Sequence, residues 1–175
     1  GVPIFNLDRD MTADALGFAR VMKNPMYAAM SRGKFESIIL SGLTQIMFDL
    51  NKLATDLVLF NMAELGFVRL PDEVCTGSSI MPHKKNPDAL ELVRAKYHVV
   101  LAEEIKVKSL IGNLVSGYNR DLQLTKEPLF LGFDTVKSCL KIICIVLENL
   151  EFDEKACSAA LSGELYAVEK AYELV

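Results

Sequence analysis

An apolar stripe that repeats at alternating spacings of three and four residues most constrains how this 175-residue chain can fold. This is the heptad pattern of a helix that packs against other helices along one side. It lies in a segment from about Lys34 to Leu65, which as a single helix would span about 45–50 Å. The members of the stripe are Leu43, Ile46, Leu50, Leu53, Leu57 and Phe60. A helix this long exceeds what a small monomeric domain can cover, so we expect it to belong to a bundle completed by other segments or subunits.

Two further long helical segments follow. The second should begin at residues 86–88, where Asn-Pro-Asp supplies an N-cap, a proline at the first helical position and an acid in the first turn, and should end at residues 112–113, Gly-Asn. In the third segment Pro128 should kink the helix or mark its start. Its apolar stripe consists of Phe133, Val136, Leu140, Ile143, Leu147 and Leu150. We find no convincing strand pattern, so the sequence predicts an all-α fold, a bundle of long helices.

The predicted domain organisation follows from these segments. Residues 1–150 should form a central helical-bundle domain, and the shorter, more polar helices of residues 151–175 should begin a small helical C-terminal domain. Before the first long helix, Thr12 is expected to cap a short helix that ends at Asn24-Pro25. The first residues are neither an initiator methionine nor a signal peptide, and the last residues stop in mid-pattern. We therefore expect a piece of a longer protein, truncated at both ends.

Charge and composition argue against several functional classes. The net charge of -4 argues against nucleic acid as the main partner, because phosphate binding needs a basic face. The best apolar run, residues 142–147, is far too short to span a membrane. The four cysteines form no C-x-x-C pair and no metal-ligand spacing with the two histidines. We therefore expect buried, reduced thiols in a cytoplasmic protein without a metal site.

The segment TGSSIMPHKKNPD, residues 76–88, differs from the helical patterns on either side of it. Glycine, serine and proline are common in loops between helices, and two lysines can be a solvated charge pair. That interpretation leaves unexplained why two hydroxyls, two cations and an amide meet at one helix entrance. A phosphate-binding P-loop is excluded because His83 stands where its second glycine is needed. A Ser-x-x-Lys nucleophile is excluded because Met81 and Pro82 occupy the lysine positions.

The run GSSIMPHKKNP closely resembles the signature G-S-S-x-M-P-x-K-x-N-P of the fumarase/aspartase superfamily. The resemblance implies elimination of fumarate from a substituted succinate, which begins with removal of a proton next to a carboxylate. By this match Ser78 is the general base, and Lys84 and Asn86 bind the carboxylate on which negative charge develops. Such chemistry needs a positioned base with fixed positive charge or hydrogen-bond donors at the carboxylate. On sequence alone, Asn86 is equally suited to capping the following helix, and the two roles can coexist.

A second segment, SGYNRDLQLTKEPLF, resembles the corresponding Y-N-R-D-L-Q-x-x-K-E-P region of the argininosuccinate lyase branch. The match implies that Tyr118, Gln123 and Lys126 hold the substrate, around its arginine portion and its carboxylates. Gln123 and Lys126 are three residues apart and would share one face of a helix. A solvated helix start is the simpler alternative for these residues.

Membership of this branch would imply a cofactor-independent enzyme of arginine biosynthesis that splits argininosuccinate into arginine and fumarate. It also implies a homotetramer whose active sites are shared between subunits, and a general acid that lies upstream of this chain. The chain alone is therefore predicted to be inactive. Histidine at position 83 is common in the adenylosuccinate relatives, so an adenylosuccinate lyase-like activity is the alternative, as is a crystallin-like non-catalytic role. A helical scaffold that binds partner helices would leave both polar loops unexplained. The residues SRGKF, 31–35, depart from the usual pattern of the branch, so we assign no site residue there.

Overall fold

The computed structural model describes residues 4–81 and 83–174. Its helices are α1 (Arg9–Ala15), α2 (Pro25–Met30), α3 (Lys34–Phe60), α4 (Asp88–Ile111), α5 (Lys126–Glu148), α6 (Glu154–Ala160) and α7 (Ala167–Glu173). Short 3₁₀ helices occupy Asp72–Val74, Arg120–Thr125 and Gly163–Tyr166, and two strands, β1 (Val68–Arg69) and β2 (Glu151–Phe152), contain two residues each. The predicted all-α fold is confirmed, with the addition of this small antiparallel ladder, which the sequence pattern did not indicate.

The core lies between the three long helices α3, α4 and α5, which pack side by side. Its fully or almost fully buried apolar side chains are Leu40, Met47 and Ala54 from α3, Leu90, Val93, Val100 and Val107 from α4, and Val136, Cys139, Ile143 and Val146 from α5. Burying one large aliphatic side chain contributes about 1.5–3 kcal/mol, so this shared seam is the main source of stability. By contrast, α1, α2, α6 and α7 contain no buried residue.

The buried seam of α3 differs in part from the predicted stripe. Leu43, Leu50 and Leu57 are buried as expected, and the positions between them are filled by the residues Met47 and Ala54. The predicted members Ile46 and Leu53 are next to these positions on the helix, and Ile46 is 41% exposed. Both choices keep the alternation of three and four, and the buried choice uses the smaller Ala54 in place of Leu53.

On α5, too, the buried residues are smaller than the members of the predicted stripe that they replace. Val136 and Ile143 are buried as predicted, but the positions before, between and after them are taken by Gly132, Cys139 and Val146. The larger members of the predicted stripe are exposed by 37% at Phe133, 39% at Leu140 and 47% at Leu147. A carbon added as Cβ at Gly132 would lie 2.7 Å from Cδ2 of Leu40, so the glycine allows α5 to lie close against α3. The helices pack closely through small residues, and a flank of large apolar residues remains on the outside.

One buried acid lies within this core. Glu104 of α4 is only 6% exposed, and its carboxylate accepts a hydrogen bond of 2.5 Å from Nζ of Lys108. Burial opposes its ionisation, but hydrogen bonds from Lys108 and from two hydroxyl groups of α3 outweigh burial and hold the pKa of Glu104 below its ordinary value. Those hydroxyls belong to Thr44 and Ser41. The carboxylate thus links α4 to α3 in its charged form.

The helix boundaries near the N-terminus correct the sequence interpretation. Asp8 caps α1 by accepting a 2.9 Å hydrogen bond from the backbone N–H of Met11, while the Thr12 hydroxyl donates back to the carbonyl of Asp8. The expectation that Thr12 is the cap is therefore wrong. Asn24 caps α2, with Pro25 at its first position, so this pair begins a helix where we expected one to end.

The later boundaries agree more closely with expectation. α4 begins at Asp88, and Gly112 is its C-cap as predicted. Pro128 lies buried in the first turn of α5, where it has no intrahelical hydrogen bond to interrupt. It marks the start of the helix and so fulfils the second of the two roles considered for it.

The chain after α5 is fastened to the segment that precedes residues 76–88. β2 pairs with β1 in antiparallel register, Val68 with Phe152 and Arg69 with Glu151. Beside the ladder, the backbone N–H of Asp153 donates to the carbonyl of Phe67 at 3.0 Å, and Nη2 of Arg69 lies 3.0 Å from Oδ2 of Asp153. Residues 67–69 and 151–153 therefore form one structural unit.

All four cysteines, each within the described residues, are free thiols. Cys139 is buried, and burial raises its pKa; Cys75 and Cys157 are half-buried. Cys144 is exposed, so the expectation that the thiols are buried is wrong for this residue. In the described part of the chain, no helix combines the length and apolar character needed to cross a bilayer.

Candidate active site

Residues 76–88, which we name the signature loop and which the structure describes at 76–81 and 83–88, lead from the 3₁₀ helix Asp72–Val74 into the first residue of α4. The backbones of Thr76 and Asn86 pair in antiparallel fashion, with N–H to carbonyl distances of 3.0 and 2.8 Å. The Thr76 hydroxyl also donates a hydrogen bond to the carboxylate of Asp88, the first residue of α4. The two ends of the loop are therefore held together at the entrance of the helix.

Ser78 lies two residues inside this closure and is half-buried. Its Oγ accepts hydrogen bonds from the backbone N–H groups of Ile80 at 3.3 Å and Met81 at 3.2 Å. Donors that point at a hydroxyl oxygen favour its charged form, because each hydrogen bond strengthens as negative charge develops. The loop therefore surrounds Ser78 with groups that would stabilise an alkoxide, which is what a serine needs to act as a base.

Lys84 and Asn86 lie on the return arm of the same loop. Lys84 is exposed, and its backbone N–H donates to the carbonyl of Met81 at 3.0 Å. Asn86 is half-buried, and Pro87, not Asn86, occupies the N-cap position of α4. Among the described residues the Asn86 side chain makes no hydrogen bond, so its amide is not used in capping the helix. This removes the simpler interpretation of Asn86.

The neighbouring lysine has a different environment. The Lys85 ammonium forms an ion pair with the carboxylate of Asp72, which raises the pKa of Lys85. Beside it, burial raises the pKa of the Cys75 thiol, while the positive charge of Lys85 opposes the shift. Of the two adjacent lysines, Lys85 is thus paired with a carboxylate outside the loop. Lys84 has no such carboxylate partner among the described residues.

The second candidate region follows α4. Tyr118 is 65% exposed, and the guanidinium carbon of Arg32 lies 5.4 Å from its ring centre. Gly117, just before it, has a φ of 111°, which favours glycine. Nδ2 of Asn119 donates to the carbonyl of Val115 at 2.8 Å and fixes the turn on the other side. The turn thus presents the tyrosine ring outward against an arginine.

Gln123 and Lys126 are both exposed where the 3₁₀ helix Arg120–Thr125 continues into α5. Residues three apart in a 3₁₀ helix project in the same direction, so the predicted common face is compatible with this local structure. Thr125 donates from its hydroxyl to Oε1 of Glu36 at 3.4 Å, and Oε2 of Glu36 accepts from the N–H of Gly33 at 2.7 Å. Glu36 therefore connects the start of α3 to the segment that carries Gln123.

Arg32 and Glu36 were not identified as site residues from the sequence. Arg32 lies in the segment 31–35, where the departure from the family pattern kept us from assigning a role. Glu36, three residues after the N-cap Gly33, accepts a hydrogen bond from its N–H, which is half of a capping box. Glycine has no side chain to complete that pattern, so the local sequence does not indicate this role. The contact of Glu36 with Thr125, 89 residues later, has no signal in the local sequence.

The structure separates the two candidate regions. The signature loop enters α4 at Asp88, and the second region follows the end of the helix at Ile111. A helix of 24 residues is about 36 Å long. The chain therefore brings Ser78, Lys84 and Asn86 onto one loop, and places Tyr118, Gln123 and Lys126 at the far end of the bundle.

Within the described residues, no group of three or more histidine, cysteine, aspartate or glutamate side chains is placed to hold a metal ion. The predicted site residues of the two regions carry hydroxyl, amide and ammonium groups, which suit carboxylates and other anions. Their chemistry is that of an anion site.

A family model described as Lyase matches residues 4–102, which include α3, the signature loop and the first part of α4. The chain belongs to this lyase family. Members of the family that resemble it include the argininosuccinate lyase of Thermotoga neapolitana, 49% identical over 175 residues, which is 100% of this chain and 44% of that protein. The argininosuccinate lyase of Stenotrophomonas maltophilia strain K279a is 46% identical over 167 residues, 95% of this chain and 38% of that protein. The chain thus spans less than half the length of these curated relatives.

Solved structures support the family fold. The fumarate lyase:delta crystallin of Brucella melitensis in native form superposes with a TM-score of 0.74 at 22% identity, covering 93% of this chain and 39% of that one. An EDDS lyase in complex with formate superposes with a TM-score of 0.64 at 21% identity, over 87% of this chain and 30% of that one. At this identity the likeness concerns the fold, which is the all-α arrangement of the fumarase/aspartase superfamily.

Proposed function

We propose that this chain is part of an argininosuccinate lyase, which splits argininosuccinate into arginine and fumarate by β-elimination. The family membership and the curated relatives support a lyase of this kind. The observation that carries the proposed mechanism is the pair of backbone N–H groups, from Ile80 and Met81, directed at Oγ of Ser78. No cofactor is part of the proposal.

In the proposed reaction, Ser78 as an alkoxide takes the proton from the carbon next to a substrate carboxylate. The electron pair left on that carbon forms the double bond of fumarate as the bond to nitrogen breaks. The nitrogen leaves with arginine and receives a proton from a general acid, which we expect on another part of the protein. The two N–H donors stabilise the alkoxide before the reaction, and an alkoxide held in this way is a stronger and better-positioned base than a free serine hydroxyl.

Lys84 and Asn86 are assigned to the carboxylate on which charge accumulates. The carbanion pushes electrons into this group, so interactions with it strengthen in the transition state and lower the barrier. Lys84 supplies a positive charge that is not committed to Asp72, and Asn86 supplies an amide that is not committed to capping α4. Both features support the assignment.

Tyr118, Gln123 and Lys126 are assigned to the arginine portion and the remaining carboxylates of the substrate. Because α4, about 36 Å long, lies between these residues and the signature loop, we propose that a complete site takes the two regions from different subunits. The exposed flank of Phe133, Leu140 and Leu147 on α5 is suited to helix packing between subunits. We propose a homotetramer in the cytoplasm, with residues 1–150 in its central bundle and residues 151–175 beginning a C-terminal domain.

A second candidate substrate is adenylosuccinate. The observation that favours it is His83, which lies exposed on the signature loop in the described structure and is typical of that branch. A crystallin-like role without catalysis is the remaining alternative. Both are distinguished from the main proposal by substrate choice and turnover.

The test follows the ultraviolet absorbance of fumarate with the intact protein, supplied separately with argininosuccinate and adenylosuccinate. We expect turnover of the first alone, and a decrease of several orders of magnitude in kcat for Ser78→Ala with helix content unchanged. Ser79→Ala is the matched control, because Ser79 is the adjacent, more exposed hydroxyl, and it should retain most of the activity. Full activity of Ser78→Ala would refute the assignment of the base, and turnover by residues 1–175 alone would refute the expectation that the general acid lies on another part of the protein.

A further inference from the structure

The two ends of the signature loop are held together by contacts that the proposed reaction does not use directly. Thr76 pairs with Asn86 through both backbone hydrogen bonds, and its hydroxyl donates to the carboxylate of Asp88. Outside the loop, Lys85 pairs with Asp72. The ion pair is largely exposed on both sides, with side-chain exposures of 64% and 75%, so water screens it. The Thr76–Asp88 hydrogen bond is exposed as well, but it acts beside the two backbone hydrogen bonds between Thr76 and Asn86 and joins the same two ends of the loop.

Asp88 occupies the first position of α4, where an acid is favoured by the positive end of the helix dipole. That general preference does not explain the direction of its carboxylate. Oδ2 accepts the hydroxyl of Thr76, which lies 12 residues earlier at the other end of the loop. The contact thus joins the incoming arm of the loop directly to the rigid start of a core helix.

The proposed catalytic residues lie close in sequence to the Thr76–Asp88 contact and to the Thr76–Asn86 pair. Ser78 is two residues after Thr76, and Lys84 is two residues before Asn86. The donors to Oγ of Ser78 lie at 3.2 and 3.3 Å, at the long end of the range for hydrogen bonds. A small rotation of the incoming arm would separate the serine oxygen from them. Misplacement of a reacting group by about 1 Å can cost about 100-fold in rate.

We propose that Thr76 and Asp88 are positioning residues for the elimination. Their hydrogen bond holds the two ends of the signature loop together and thereby sets Ser78 against its two N–H donors. This inference rests on the proposed function of Ser78. Neither residue touches the reacting atoms, and both act through the serine. The hydroxyl of Thr76 is required because it donates the hydrogen bond, and the methyl group of the residue is not.

The experiment compares Thr76→Val, which keeps the shape and loses the hydroxyl, with Thr76→Ser, which keeps the hydroxyl. We expect Thr76→Val to lower kcat about 10- to 100-fold with KM within about threefold, and Thr76→Ser to stay within about threefold of the wild type in both. The acidic limb of the pH–kcat profile should move to higher pH in Thr76→Val, because a serine with weaker donors holds its proton more tightly. A loss of packing alone would not produce that shift.

Asp88→Asn tests the acceptor, and Glu91→Gln is its matched control. Both acids lie in the first turn of α4, but only Asp88 accepts the hydroxyl of Thr76. We expect Asp88→Asn to weaken kcat in the same direction as Thr76→Val, and Glu91→Gln to leave it unchanged. Equal kcat values for Thr76→Val and the wild type, or equal losses in Thr76→Ser and Thr76→Val, would overturn the inference.

Hydrogen exchange separates failure of this inference from failure of the proposed function. The N–H of Asn86 donates to the carbonyl of Thr76 at 2.8 Å and reports directly on closure of the loop. In Thr76→Val this N–H should exchange faster than in Thr76→Ser, whether or not the protein turns over argininosuccinate. If the wild type has no activity and the exchange rates differ, the proposed function fails, but the role of the Thr76–Asp88 hydrogen bond in closing the loop stands. If the Asn86 N–H exchanges at the same rate in Thr76→Val and Thr76→Ser, the role of the Thr76–Asp88 hydrogen bond in closing the loop is refuted.

Discussion

Ser78 precedes the start of α4 and Tyr118 follows its end, so a helix of 24 residues, about 36 Å long, lies between them. The substrate of a fumarate-eliminating enzyme is far shorter than this distance. One chain therefore cannot apply both residues to the same molecule, and the assignment of both to catalysis requires that they come from different chains.

Complementation between inactive variants should follow from this separation. Ser78→Ala and Tyr118→Phe, each expressed alone, should have little activity. In a co-assembled 1:1 mixture, about a quarter of the sites would combine an intact serine with an intact tyrosine, so activity should recover toward that fraction. Mixing Ser78→Ala with Lys84→Met is the matched control, because both changes fall on the same loop and no intact loop can be assembled. Recovery in the control, or none in the test mixture, would contradict the shared site.

The contact between Arg32 and Tyr118 should affect substrate binding. A partly exposed cation–π pair contributes about 0.5–1 kcal/mol, so Arg32→Ala should raise KM about two- to fivefold through the loss of a fixed ring orientation. The value of kcat should change less, since Tyr118 is assigned to holding the substrate and not to moving its proton. Steady-state kinetics with Arg20→Ala as the exposed-arginine control would check this. An effect confined to kcat would disprove the role in binding.

Two glycines with similar backbone angles provide a matched test of close packing. Gly17 has a φ of 73° with no atom within 4 Å of an added Cβ, whereas Gly33 has a φ of 80° and its Cβ would lie 2.3 Å from a methyl carbon of Ile111. Gly17→Ala should lower the free energy of unfolding by about 1 kcal/mol, from backbone strain alone. Gly33→Ala should lower it by about 2–4 kcal/mol, since strain and overpacking add. Equal effects in denaturant titrations would show that α4 does not approach this turn as described.

The buried Glu104 should make stability depend on pH in the acid range. Its pKa in the folded protein lies below the ordinary value of about 4.3, so its contribution is fully present above that value and is lost as the pH falls through the folded pKa. Glu104→Gln should reduce the free energy of unfolding by about 1–3 kcal/mol at pH 7, and the difference from the wild type should shrink toward pH 3. Glu91→Gln, at an exposed position of the same helix, should show neither effect. A difference that grows on acidification would reverse the assigned sign.

The fold was largely predictable because the long helices have strong and independent signals. The start of α3 at Lys34 and the end of α4 before Gly112 match the expected boundaries. The choice of seam was harder to predict, because apolar patterning favours the larger residues. Leu140 was preferred over Cys139, yet the smaller residue packs inside and the leucine remains 39% exposed. Close approach of the helix backbones decides this choice, and periodicity does not report it.

For the signature loop, the sequence predicted the types of chemical group but not their arrangement in space. The motif indicated a base, a cation and an amide. The structure adds the backbone N–H groups of Ile80 and Met81, which donate to Oγ of Ser78. The hydrogen bond of Thr76 to Asp88 was not foreseen, because hydroxyl and acid pairs twelve residues apart have no characteristic sequence pattern. The roles of Ser78, Lys84 and Asn86 in the reaction stay predictions.

The ladder between β1 and β2 has a consequence for the order in which the protein folds. Its residues are separated by more than eighty positions, and Arg69 meets Asp153 only after the intervening α4 and α5 have turned back on each other. Contacts between positions this distant form late, since the entropy of closing a long loop is lost before they can stabilise it. We therefore expect the segment that leads into the signature loop to be secured near the end of folding, after the scaffold of long helices has formed.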